Sequence, residues 1–265
     1  MRKPPAQPSI SPPAPWRFRA EGLLWRVVPA GASELLGEER DPLKKRASFF
    51  CIELPGGRLK WRGREFGQGW WVGVEWAGEG MAFLHGYASR DCPLHKGVIA
   101  VDLQDGRELW RDEAATFLGV RGGVLTLLKE SPEGPAETRL DPRTGEPAAP
   151  QEGEEEKGPI TFFPGPGDGD PELERALSGA PEERAGVELL KLPRVMIAAV
   201  HTRTGGGCGS RLAVIERGSG KALFSEELDE GRPGPGGDSF LVHAGQLVYV
   251  RARKELCGFS LEGFA

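Results

Sequence analysis

The sequence predicts an all-β fold, a small β-propeller of about five four-stranded blades. Three observations predict it. One hairpin pattern recurs along the chain, its turn glycines return at blade-like intervals, and Gly (39) and Pro (23) are abundant enough to favour many short strands over long helices.

The hairpin is clearest from Ile99 to Trp110: an alternating strand, Asp102, a turn ending in Gly106, then Leu109-Trp110. Phe50 to Trp61 and Ala213 to Phe224 repeat it, and Thr138 to Pro147 repeats its strand and turn. Period-two alternation buries one strand face, Gly tolerates the positive φ of a tight turn, and the terminal Trp or Phe covers a large apolar area between neighbouring units. A second hairpin type precedes these, as in Phe117 to Leu127, Phe240 to Val250 and Trp71 to Leu84. Two hairpins in succession make a blade.

Gly57, Gly106 and Gly145 follow one another at 49 and 39 residues, and Gly220 comes 75 further on, the interval of one blade plus an insertion. The expected blades span residues 26–61, 62–110, 111–150, 186–225 and 226–265. The last lacks a terminal aromatic strand, and Trp16 to Trp25 has the missing pattern. Residues 16–25 are therefore expected to pair with the C-terminal blade and close the ring, which protects the edges of an open array. Residues 1–14 read as a disordered Pro-rich tail on a single domain, 15–265. Residues 151–185 read as an acidic, Gly/Pro-rich insertion with one short helix, capped by Asp170, begun by Pro171 and ended by Gly179.

Asp102, Gly106, Leu109 and Trp110 resemble the quinoprotein-type propeller repeat, with Trp61 and Trp25 in the same docking-tryptophan place and Phe224 as a substitute. That resemblance implies the fold. It does not bring pyrroloquinoline quinone, because the adjacent-cysteine pair of the quinoprotein dehydrogenases is missing here. The chain also resembles an uncharacterised bacterial family, domain of unknown function 4905, through Trp70-Trp71-Val72-Gly73, Leu84-His85-Gly86-Tyr87 and His95 to Asp102. That resemblance implies no activity.

A net charge of −5 gives no general attraction to phosphate backbones or anionic lipid, so neither nucleic acid nor membrane is expected as a partner. Met1-Arg2-Lys3 is followed by prolines instead of the apolar stretch of a secretory signal, which points to the cytoplasm. Cys51, Cys92, Cys208 and Cys257 are widely spread and read as reduced thiols.

Candidate chemistry concentrates in His85 to His95, which holds two of the four histidines, Asp91 and Cys92. Imidazole, thiolate and carboxylate all suit zinc, so His85, Cys92 and His95 are candidate metal ligands and His85, Asp91 and His95 candidate catalytic groups. The competing reading is a strand connection with His85 ending a strand. His201 and His243 lie on or beside apolar strands of other blades and are candidates to converge on the same channel, or else to be satisfied within their own strands. Trp70, Trp71 and Tyr87 are candidate ligand-binding aromatics, with packing as the alternative for the tryptophans. Gly205 to Ser210 lacks the Lys and following helix of a phosphate loop and reads as a hairpin turn. The expectation is a non-enzymatic binding or scaffold module that presents one propeller face to a protein or small molecule, with no cofactor. The alternative is a hydrolase, with or without zinc, whose site is near His85, Asp91, Cys92 and His95.

Overall fold

The structure, a computed structural model, describes residues 14–67, 69–89, 91–148, 161–177, 183–234 and 237–264. It is all-β apart from one helical turn and a half, with five antiparallel sheets of three to five strands. The sheets fall in two compact units, one comprising Ala20–Ile160 and the other Met1–Arg19 with Thr161–Ala265.

The first unit holds three sheets. The first sheet is a meander of Leu23–Pro29, Glu34–Asp41, Arg46–Glu53 and Arg58–Arg64. The second is a meander of Gly73–Gly78, Met81–Ser89, Cys92–Asp102 and Glu108–Asp112. The third has three strands among the described residues, Thr116–Arg121, Val124–Ser131 and Gly134–Leu140, where four were expected. Its polar, Gly- and Pro-containing continuation reaches only a single bridge, Leu140 to Pro147.

The alternating apolar residues do what period two requires. Phe49, Cys51, Val74, Ala82, Leu84, Ile99 and Val101 make one core between the first and second sheets, and Phe83, Ala100, Leu125 and Leu127 make the next. Aromatic docking repeats from sheet to sheet. The indole of Trp61, at the end of the first sheet, donates to the Leu103 carbonyl at 2.8 Å, and that of Trp110, at the end of the second, donates to Pro142 at 3.0 Å. Each ring lies against a turn glycine of positive φ. A Cβ on Gly106 would fall 2.7 Å from Trp61, and one on Gly145 would fall 3.0 Å from Trp110. The turns are built alike. Gly106 N–H donates to the Asp102 carbonyl and Gly145 N–H to that of Asp141, while each aspartate side chain accepts a backbone N–H two residues on.

In the other unit the fourth sheet comprises Gly165–Pro166, Arg184–Lys191, Val195–Thr204, Gly207–Glu216 and Ala222–Arg232. The fifth runs Trp16–Arg19, Glu255–Ser260, Gln246–Arg251, Phe240–His243 and Thr161–Phe162 in spatial order. Phe224 packs on Phe259, with ring centroids 5.0 Å apart. Burial pushes the Cys51 and Cys257 thiols up to about 12, as befits inert core cysteines, and all four cysteines are free. Gly205 and Gly206 form the expected hairpin turn, with a strand on either side.

The N-terminal pairing is present but shorter than expected. Trp16–Arg19 lies antiparallel to the last strand, with Trp16 opposite Gly258 and Arg19 opposite Glu255. Arg17 bonds Glu226 at 2.6 Å and Glu255 at 3.3 Å. The chain then turns at Gly22, and Leu23–Pro29 opens the first sheet, so Trp25 is not a docking tryptophan. It is half-exposed and meets Trp70 edge-on, at a centroid distance of 6.1 Å. The expected insertion is only partly loop. Thr161–Phe162 and Gly165–Pro166 add edge strands to two sheets, and Pro171–Ala176 is the helix, with the Asp170 carboxylate accepting from Glu172 and Leu173 N–H. The rest of that expectation, residues 151–160 and the stop at Gly179, lies outside the described residues, as do residues 1–13 of the tail. Among the described residues no helix is long and apolar enough to cross a membrane.

Candidate functional site

The second sheet carries the densest chemistry. Met81–Ser89 and Cys92–Asp102 pair as one long hairpin, with Tyr87 opposite His95, Gly86 opposite Lys96 and His85 opposite Val98. His85 thus sits mid-strand and does not end one, which corrects the loop reading. Gly97 is the extra residue between Lys96 and Val98 and takes a positive φ of 84°.

On the strand at the other side of Met81–Ser89, Val74 pairs with Leu84 and Trp76 with Phe83. Glu75 is left as the extra residue of a bulge. Bulges re-aim side chains, and this one turns the carboxylate onto the two histidines. Gly73 lies directly opposite His85, and a Cβ there would come within 3.0 Å of the His85 Nε2 and Cε1 atoms. A side chain at position 73 would therefore crowd the imidazole.

The His85 and His95 rings stack with centroids 3.5 Å apart and planes 8° from parallel. One oxygen, Glu75 Oε2, lies 2.8 Å from His85 Nδ1 and 2.7 Å from His95 Nδ1. The His95 contact is a hydrogen bond. The His85 contact is short but off the line of the ring N–H, so neither ring nitrogen of this buried histidine has an aligned hydrogen-bond partner. Burial raises the Glu75 pKa, but the contacts with His85 and then His95 outweigh it and hold the carboxyl below its usual range. Tyr87 meets both imidazoles edge-on at 5.2 and 5.4 Å, and Trp71 meets Tyr87 edge-on at 5.8 Å.

Glu75, His85 and His95 bring three donor atoms within 4.8 Å of one another, which is the kind of cluster that can hold a metal ion. Asp91 and Cys92, expected among the catalytic or metal-ligating residues, are not part of it. They lie at the hairpin tip, with Asp91 exposed in the turn and Cys92 opposite Ser89. Glu75 was missed by sequence reasoning because the alternation from Trp71 to Trp76 makes it an ordinary outward-facing strand residue. A bulge has no sequence signature beyond the nearby glycines.

The remaining candidates each have surroundings of their own. Trp70 lies under the Arg40 guanidinium at 5.0 Å, and Arg40 is itself bonded to Glu38 and to the Val72 carbonyl. That is packing, as is the contact of Trp76 with Phe83. His201 and His243 are buried in the other unit, each with its own partner. His201 Nδ1 contacts Ser210 Oγ at 2.7 Å, and Nε2 lies 3.4 Å from Glu188. His243 Nδ1 contacts Thr161 Oγ1 at 2.8 Å. Each has its Nδ1 partner within its own sheet, a side-chain hydroxyl instead of the backbone group expected.

Residues 30–110 match the model of a family described as a domain of unknown function, DUF4905. This is less than half of the chain, whereas the resemblance was expected to run throughout. The matched stretch includes Glu75, His85 and His95. A search of curated proteins gives no match to the chain.

Proposed function

We propose that this chain is a propeller-type binding module that holds a divalent transition-metal ion, zinc by donor type, at Glu75, His85 and His95. The observation that carries the reading is the convergence of one carboxylate oxygen and two Nδ1 atoms around a buried imidazole that lacks an aligned partner. A buried polar ring without hydrogen bonds is costly, and a metal bond would satisfy it. Zinc bonds of about 2.0–2.1 Å set tetrahedral donors roughly 3.3 Å apart, so the two Glu75 contacts open by about 0.5 Å. Because nitrogen lone pairs lie in the ring planes, which are 8° from parallel, the imidazoles must also swing out of their stack to point at one ion. Both Nδ1 atoms must be unprotonated for the ion to enter, so it displaces the proton shared with Glu75. The propeller part of the reading is supported by the repeated docking of Trp61 and Trp110 on successive turns, and by the first strand completing the last sheet.

A metal-dependent hydrolase is the second reading. It is favoured by the donor count, because three protein donors are the pattern of catalytic zinc and four that of structural zinc.

Metal analysis decides first. Protein stripped of metal, incubated with excess zinc and desalted is expected to retain one zinc per chain, with a matching one-to-one calorimetric titration. Retention of none rejects the metal reading in both forms.

A further inference from the structure

The geometry points to a solvent-facing coordination position on that metal, taken by a small carboxylate bearing an apolar or aromatic group. The inference rests on the metal reading above and names the ligand of the same site.

Four observations carry it. First, only three donors converge among the described residues, whereas zinc and cobalt take at least four ligands. The other two candidate ligands on this hairpin, Asp91 and Cys92, lie at its tip, outside the donor set. Second, the two imidazoles differ in exposure. The His85 side chain is 6% exposed and that of His95 42%, so an ion between them has one side against the sheet and one towards water. Third, one carboxylate against a doubly charged ion leaves a net charge of about +1, which favours an anion over a neutral donor at the remaining position. Fourth, Tyr87 stands perpendicular to both imidazoles, and the partly exposed Trp71 stands beyond it. These rings give the surroundings of the ion an apolar wall that acetate cannot use and a larger carboxylate can. Tyr87 and Trp71 then act as a selectivity wall, with no covalent role.

The test uses cobalt(II) in place of zinc in the full-length chain, because its visible absorption reports coordination directly. Adding benzoate is expected to shift the cobalt bands saturably, and acetate is expected to do so with an affinity about fivefold lower, the worth of one aromatic contact. In Tyr87→Leu with cobalt still bound, the preference for benzoate over acetate is expected to disappear. Cobalt bands indifferent to benzoate, acetate and azide alike would overturn the inference, since the coordination shell would then be closed. A shift with no preference for benzoate would overturn the assignment of the wall. Failure to take up cobalt at all would instead reject the metal reading beneath it.

Discussion

Exchanging His85 for alanine is expected to lower zinc affinity by at least about 100-fold. Loss of an outer-shell partner of a metal ligand costs about 10–100-fold, and loss of the ligand itself removes a bond outright. His85 is the buried member of the cluster, and without it Glu75 and His95 remain as a carboxylate and a partly exposed imidazole. A buried side chain leaves a cavity when truncated, so His85→Ala is also expected to lose stability. His95→Ala separates the two effects. Its ring is near the surface, so the same loss of zinc is expected with little change in the unfolding midpoint. Cys92→Ser and Asp91→Asn are expected to bind zinc as the parent does, because neither residue belongs to the donor set. Calorimetric titration of the four variants decides the matter. Loss of zinc in Cys92→Ser with retention in His85→Ala would show that the hairpin tip, and not Glu75, completes the site.

The second large effect is on folding. Trp61→Ala is expected to destabilise the unit Ala20–Ile160 by about 3–5 kcal/mol, the usual cost of truncating a buried aromatic. Trp61 is 7% exposed and fills the space against Gly106, and its indole N–H satisfies the Leu103 carbonyl. Trp25 offers the contrast within the same sheet. It is 51% exposed and contributes a cation–π contact to Arg40, so Trp25→Ala is expected to cost only about 1 kcal/mol. Equilibrium denaturation of the two variants measures the difference. Equal losses would mean that the docking of Trp61 on the next sheet is not what holds these sheets together.

These two tryptophans also show how far the sequence could be read. Trp61, Trp110 and Phe224 were legible because each ends a hairpin whose turn glycine and alternation fix both its face and its distance from the next turn. Trp25 had the same local appearance, but no local signal shows which of two sheets a strand joins. The break at Gly22 gives Trp16–Arg19 to the last sheet and Leu23–Pro29 to the first. The edge strands Thr161–Phe162 and Gly165–Pro166 were not legible at all, since two residues carry no periodicity.

The site divides in the same way. His85, His95 and Tyr87 were legible as a concentration of reactive side chains, and period two does put residues 85 and 87 on one face. Their relation to Glu75 depends on a bulge in a neighbouring strand, a tertiary feature that redirects one side chain without altering the alternation around it. Asp91 and Cys92 looked equally promising in the sequence. The turn between the two strands carries them to the far end of the hairpin, and nearness along the chain did not become nearness in space.

The most direct test of the account is anomalous diffraction at the zinc edge from crystals of the zinc-loaded, full-length protein. One peak is expected about 2.0–2.2 Å from His85 Nδ1, His95 Nδ1 and a Glu75 carboxylate oxygen, with the imidazoles swung out of their parallel stack. A peak at the hairpin tip beside Cys92, or at His201 or His243 with none between His85 and His95, would contradict it.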